Sequence, residues 1–234
     1  MTEDHALCVA KRLAEAIGAA TIESRPSENF YIEDAFAPEV FQEILARLPA
    51  DEALDDIRHP DAVAPDGRVT RKLLDFTEQS LERLDAADRE FWRGLTQALT
   101  SQTLLNALAA KFRVTLETQY GADRPAMTAV PLLYRDLPGY RIGVHPDAAT
   151  KIATLQFYLP ADDSQVHLGT TFHERTPDGF QELKTNPFKP NSAYGFVRTD
   201  ESWHSVKELG PDEAIRNSLA LTVYHRGLQY SSAM

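Results

Sequence analysis

One cysteine, Cys8, occurs in 234 residues, so no disulfide can close within the chain. A lone thiol fits a reducing compartment and sets the expectation of a cytoplasmic protein. Long apolar runs are lacking too: none approaches the roughly 18 residues that a membrane-spanning helix needs. Positive charge is in deficit, with 24 Lys and Arg against 35 Asp and Glu, a net charge of −11. A phosphate backbone or an anionic bilayer repels such a chain, so neither nucleic acid nor a membrane is expected as a partner. The opening stretch, MTEDHALCVAKRLAEAIGAA, starts acidic and lacks a basic region followed by an apolar core. It reads as an amphipathic helix, not a signal peptide. There is no internal repeat and no low-complexity tract.

What is present is ordinary globular material, 43% hydrophobic and 25% charged, enough for a sizeable core. The first half reads mainly helical. FYIEDAF suggests a short strand, and APEVFQEILARLP spaces Val40, Phe41, Ile44, Leu45 and Leu48 as one helical face. Residues 49–70, rich in Asp, Pro and Gly, read as a loop. Helical spacing returns from Thr77 to Phe112, with a break near Asp85–Asp88. The second half is strand-like: AVPLLYRDL, YRIGVH, KIATLQFYL, SAYGFVRT and RNSLALTVYH are separated by turn residues. Helices followed by strands predict one α+β domain, with the helices covering one face of a β-sandwich or jelly roll.

A His-Pro-Asp ends one of these strands and presents His145 and Asp147. Residues two apart on extended backbone point to the same side, as two ligands of one metal must. An ordinary turn produces the same pair. The chain also carries its own control: His59 and Asp61 form a second His-Pro-Asp in a turn-rich stretch with no strand before it. Downstream, His204 follows the strand SAYGFVRT. Two His and one Asp make a facial triad with open positions, as in non-haem Fe(II) oxygenases. His5, His167, His173 and His225 are expected to be surface or core residues.

Alternation adds an independent test. With His145 and Asp147 on the cavity side, Arg141 and Gly143 share it. Tyr158 brings Ile152, Thr154 and Gln156, and Arg216 brings Ser218, Ala220, Thr222 and Tyr224. The opposite faces carry Ile142 and Val144, then Ala153, Leu155, Phe157 and Leu159, and Leu219, Leu221 and Val223. One face is apolar and suited to the helices; the other is polar or small and suited to a wet cavity.

From about Tyr134 to Tyr224 the chain resembles the 2-oxoglutarate- and Fe(II)-dependent oxygenases, especially their prolyl-hydroxylase-like branch. The resemblance is carried by His145-Pro146-Asp147, Tyr158-Leu159, Gly169-Thr170, His204 and Arg216 in that order. It implies a double-stranded β-helix of jelly-roll or cupin type over residues 126–234, supported by mainly helical residues 1–125 in a single domain, 1–234. It implies Fe(II) on His145, Asp147 and His204, with 2-oxoglutarate and O₂ as co-substrates and ascorbate as reductant. Arg216 would pair with the distal carboxylate of 2-oxoglutarate, Tyr158 would donate its hydroxyl to that carboxylate, and Tyr134 would contact the co-substrate nearer the metal. The implied reaction is oxidative decarboxylation to succinate and CO₂ coupled to C–H hydroxylation. Related halogenases lack the carboxylate ligand, so Asp147 favours hydroxylation. Arg141 is expected at the cavity mouth, where it would suit an acidic substrate. The loop around His59 is expected at the entrance, and residues 174–191 as a lid. No second domain or basic groove suggests a macromolecule, so the expected substrate is a small polar metabolite such as an amino acid. The alternatives are a prolyl-type hydroxylase of protein or peptide side chains, and a cupin-like metal- or carboxylate-binding module without turnover.

Overall fold

In the computed structural model, which describes residues 1–121 and 126–226, six helices lie in the first half. Helix α1 (Glu3–Ala19) is capped by Thr2, whose hydroxyl accepts the His5 N–H, and buries Ala6, Val9, Ala10, Leu13 and Ile17 as one stripe. Helix α2 (Pro38–Ala46) opens on a proline, which needs no N–H in the first turn. The short α3 (Glu78–Leu81), α4 (Ala86–Leu99) and α5 (Gln102–Lys111) are capped by Thr77, Asp85 and Ser101. The expected break at Asp85 is thus the cap of α4. Helix α6 (Arg113–Tyr120) completes the layer. No helix among the described residues is long and apolar enough to cross a membrane.

The strands are β1 (Asn29–Ile32), β2 (Asp55–Asp56), β3 (Arg71–Asp75), β4 (Met127–Asp136), β5 (Ile142–His145), β6 (Lys151–Tyr158), β7 (Thr170–Thr176), β8 (Gly179–Thr185), β9 (Ala193–Val197), β10 (His204–Val206) and β11 (Arg216–His225). They form a seven-stranded sheet, β1-β9-β6-β11-β4-β3-β2, and a four-stranded sheet, β5-β10-β7-β8. Every pairing is antiparallel. The first half therefore does more than support the jelly roll: β1, β2 and β3 extend its larger sheet on both edges. Strand β3, unanticipated by the sequence reading, places Arg71 beside β4. The 126–234 unit runs past the described residues at 227–234.

Alternation assigns the two faces of the larger sheet correctly along β11. Leu219, Leu221 and Val223 are fully buried against the helical layer, in one core with Leu13, Phe36, Trp92, Leu104 and Leu155. Each such side chain contributes about 1.5–3 kcal/mol by leaving water. The other face meets the smaller sheet across a separate cluster of Tyr158, Phe172, Phe188, Tyr194 and Phe196.

Residues 174–191 are not the expected lid. Most of them are the end of β7 and strand β8, paired in a hairpin at the edge of the smaller sheet. The polar, Gly-containing composition marked the hairpin turn, and the strand alternation within QELKT went unread. The loop after β8 returns under the sheet and seats Phe188 in the cavity wall. Just before β7, facing that loop, Gly169 admits no side chain: a Cβ there would lie 1.6 Å from the Asn186 carbonyl oxygen. Backbone faces backbone, so nothing flexible can yield. Gly169→Ala is expected to cost at least about 1–3 kcal/mol, read as a lowered melting temperature.

Candidate metal centre and its cavity

Two one-residue bulges shape the site. His145 pairs with His204 across β5 and β10, yet the next pair is Ile142 with Val206. Ala153 pairs with Val223 across β6 and β11, yet Lys151 pairs with Tyr224. An extra residue shifts the alternation of everything beyond it. Ile142 thereby joins His145 on the cavity wall, and Arg141 is turned out, with 74% of its side chain exposed and Glu208 4.0 Å away. The expected place of Arg141 at the mouth is corrected accordingly. The second bulge sends Ile152 into the helix-backed core and brings Lys151 to the cavity instead.

His145, Asp147 and His204 converge, with one ligand atom from each lying within 4.8 Å of the others. The two imidazole rings are 4.4 Å apart between centroids. His145 Nδ1 lies 2.9 Å from the Gly143 carbonyl oxygen, and His204 Nδ1 2.9 Å from that of Ser202. A carbonyl can only accept, so both Nδ1 atoms carry the hydrogen and both Nε2 lone pairs are free for a metal. Burial draws the His204 pKa down to about 4; His145 and Lys151 act the same way, and Asp147 opposes them. The imidazole is neutral at physiological pH, as a ligand must be.

Burial would raise the Asp147 pKa, but the charge of Lys151, that of His204 once acid protonates it, and hydrogen bonds from Lys151 and Thr154 hold it at about 2. Lys151 Nζ donates to Oδ1 at 2.6 Å and Thr154 Oγ1 to Oδ2 at 2.8 Å. Two imidazoles with Nε2 turned to the site and one ionised carboxylate fit a first-row divalent ion such as Fe(II). Lys151 is a partner that alternation alone hid.

The same cavity, of about 530 Å³, is walled by Tyr134, Asp136, Tyr158, Thr170, Tyr194, Arg216 and Ser218. The Tyr158 hydroxyl accepts the Thr170 N–H at 2.8 Å, which leaves its own hydrogen to donate. Burial pushes its pKa up to about 12, against the hydrogen bonds to Thr170. Tyr194 donates to Gln156 at 2.9 Å, and Gln156 donates to Ser218 at 2.8 Å. Tyr134 is stacked under Arg71, whose guanidinium carbon sits 3.8 Å from the ring centre.

Arg216 faces the cavity but is already held. Its Nε and Nη2 donate to Asp136 Oδ2 at 2.9 and 2.7 Å, and Nη1 to the Leu168 carbonyl at 2.7 Å. Arg71 Nε lies 2.9 Å from Asp136 Oδ1, an ion-pair distance. The approach is off the line of a hydrogen bond, and neither atom has another hydrogen-bonding partner. Arg71, Asp136 and Arg216 stand side by side on β3, β4 and β11. Asp136 was legible from the alternation Tyr134, Asp136 in PLLYRD. Arg71 had no such signal, because its strand is short and follows a loop.

The second His-Pro-Asp does lie at the entrance, where Ile57, Arg58, His59 and Asp61 rim the cavity. Its surroundings differ: His59 Nδ1 lies 3.3 Å from the Asp61 N–H and 3.3 Å from the Asp61 carboxylate, so the pair is turned on itself. No third ligand joins it among the described residues. Elsewhere His173 bonds Ser205, His167 bonds Glu213 and His225 bonds Tyr120, as expected of surface or core residues.

No family model and no curated protein matches the chain. Solved structures do. A prolyl-4-hydroxylase from Pseudomonas putida superposes with a TM-score of 0.53 at 15% identity, covering 92% of this chain and all, 100%, of the other. A Trichoplax adhaerens prolyl hydroxylase in complex with a hypoxia-inducible-factor peptide fragment gives 0.55 at 12%, covering 95% and 91%. The non-haem α-ketoglutarate-dependent epimerase SnoN, from nogalamycin biosynthesis, gives 0.52 at 14%, covering 92% and 82%. The chain therefore shares the double-stranded β-helix fold of these structures, with helices backing the larger sheet.

Proposed function

We propose that the protein is a 2-oxoglutarate- and Fe(II)-dependent dioxygenase that hydroxylates a C–H bond of a small polar metabolite such as an amino acid. The observation that carries this reading is the convergence of His145, Asp147 and His204, with both Nε2 atoms free, on a cavity that also holds buried arginines. When bound, Fe(II) would supply the means to oxidise 2-oxoglutarate with O₂ to succinate and CO₂ and to hydroxylate the substrate. The chain's own part is to bind and orient. Asp147, kept ionised by Lys151 and Thr154, offsets part of the metal charge. Tyr158 offers its hydroxyl hydrogen, and the arginine side of the cavity receives a carboxylate. Tyr134, stacked under Arg71 on the cavity wall, is the contact proposed nearer the iron. Ascorbate would keep the metal reduced.

The cavity volume lies within the range of about 300–1,000 Å³ usual for small-molecule sites, which favours a metabolite. A peptide reading draws on the Trichoplax neighbour, whose bound partner is a peptide. The test is succinate release from 2-oxoglutarate with Fe(II) and ascorbate, followed by screening for +16 Da products (one added oxygen, about 16 Da by mass) in a metabolite extract and in a peptide library. Succinate formation stimulated by a metabolite fraction is expected. Stimulation by peptides alone would move the substrate to the second class, and no succinate under any condition would leave a binding module without turnover.

A further inference from the structure

We infer that the carboxylate site of this cavity is built by two arginines around Asp136, and that Arg71 is its unassigned half. The inference rests on the dioxygenase reading for the identity of the ligand, a dicarboxylate, and on the structure for the residues. Arg216 alone cannot serve as a free cation. Asp136 takes two of its N–H groups through one oxygen, and the Leu168 carbonyl takes a third. The pair Arg216–Asp136 is formally neutral and almost wholly buried, with side-chain exposures of 5% and 2%.

Arg71 adds the charge that the pair lacks. Two guanidiniums and one carboxylate sum to +1, in a pocket where burial keeps Tyr134 and Tyr140 protonated and neutral. The other carboxylates that line the cavity have partners of their own: Asp147 has Lys151, Asp55 has Arg83, Asp56 has Arg58, Asp61 has His59 and Asp75 has Thr77. Glu213, whose pKa Arg216 helps to lower, is turned to the Gly210 N–H and to His167 and does not line the cavity. A buried net charge is costly until an ion of opposite sign balances it. One carboxylate would do so.

Placement agrees. Arg71 is clamped between the rings of Tyr134 and Tyr140, at 3.8 and 4.5 Å, and hydrogen-bonds the Tyr140 hydroxyl. Its side chain is 18% exposed against 5% for Arg216, so it is the more accessible of the two. Its Nε and Asp136 Oδ1 are buried without hydrogen bonds. A carboxylate reaching this cluster from the cavity would meet charged donors held in place by the two tyrosine rings and by Asp136.

Calorimetric titration of the full chain with 2-oxoglutarate and with glutarate, each with and without Mn(II), tests this. Glutarate keeps both carboxylates but lacks the keto oxygen, so it reports the arginine site apart from metal chelation. Arg71→Met should weaken both ligands at least about tenfold, the loss of one charge-assisted contact, with Mn(II) affinity unchanged. Arg71→Lys should fall between, and covers the case in which the methionine variant does not fold. Asp136→Asn should tighten both ligands, because it removes the competing carboxylate and raises the cluster to +2. Wild-type affinity in the two Arg71 variants overturns the proposal, as does weaker binding in a folded Asp136→Asn protein or no glutarate binding at all. If 2-oxoglutarate binds no tighter than glutarate and Mn(II) changes nothing, the dioxygenase reading fails. The glutarate series then still decides the role of Arg71.

Discussion

His204→Ala should lower Mn(II) or Fe(II) affinity by more than about 100-fold, the upper end for loss of a mere outer-shell partner. His204 supplies one of three converging ligand atoms, its ring is held by the Ser202 carbonyl, and no other His, Cys, Asp or Glu joins the cluster among the described residues. His59→Ala is the control. It carries the same tripeptide and lines the same cavity, but its Nδ1 is turned to Asp61 and it lies outside the ligand cluster. Metal affinity in that variant should match wild type. Competitive titration against a chromogenic chelator reads both. Equal retention of metal in the two variants would remove His204 from the ligand set and the facial triad with it.

The contrast between the two His-Pro-Asp copies shows what a sequence can and cannot carry. Strand propensity before His145, and its absence before His59, separated them without coordinates. Faces were legible wherever a strand ran unbroken: β11 alternates from Arg216 to Val223 as read, with Ser218 and Thr222 on the cavity and Leu219 and Leu221 in the core. Legibility ended at the bulges. One extra residue in β5 and one in β6 invert the alternation beyond them, which misplaced Arg141, Ile142 and Ile152 and hid Lys151. A bulge is fixed by pairing with a partner strand, a long-range event that no local pattern encodes. The same holds for Arg71. Five residues, RKLLD, following a loop carry little strand signal, and only pairing with β4 gives them a face. Residues 174–191 failed differently, because Gly and Pro mark a hairpin turn as readily as a lid.

Arg216→Met and Leu219→Ala should both destabilise the fold, for opposite reasons. Read from sequence, Arg216 was a binding residue alone, free to meet a co-substrate. In the structure it anchors buried polar groups: without it Asp136 Oδ2 loses two donors and the Leu168 carbonyl loses one. Breaking a buried ion pair by removing one partner costs about 3–5 kcal/mol, because the other charge is left behind. Arg71 still pairs with Asp136 through Oδ1, which holds the loss toward the lower end. Leu219 is 0% exposed on the other face of β11, and truncating such a leucine costs about 2–5 kcal/mol through lost contact and the cavity left. Melting alone therefore does not separate the two positions. Glutarate titration does: Leu219→Ala should bind as wild type in whatever stays folded, whereas Arg216→Met leaves Arg71 and Asp136 formally neutral and should bind at least about tenfold more weakly. Arg216→Met with wild-type stability would mean that the Arg216–Asp136 pair is not formed in solution. Leu219→Ala with impaired glutarate binding would mean that the two faces of β11 are not energetically separate.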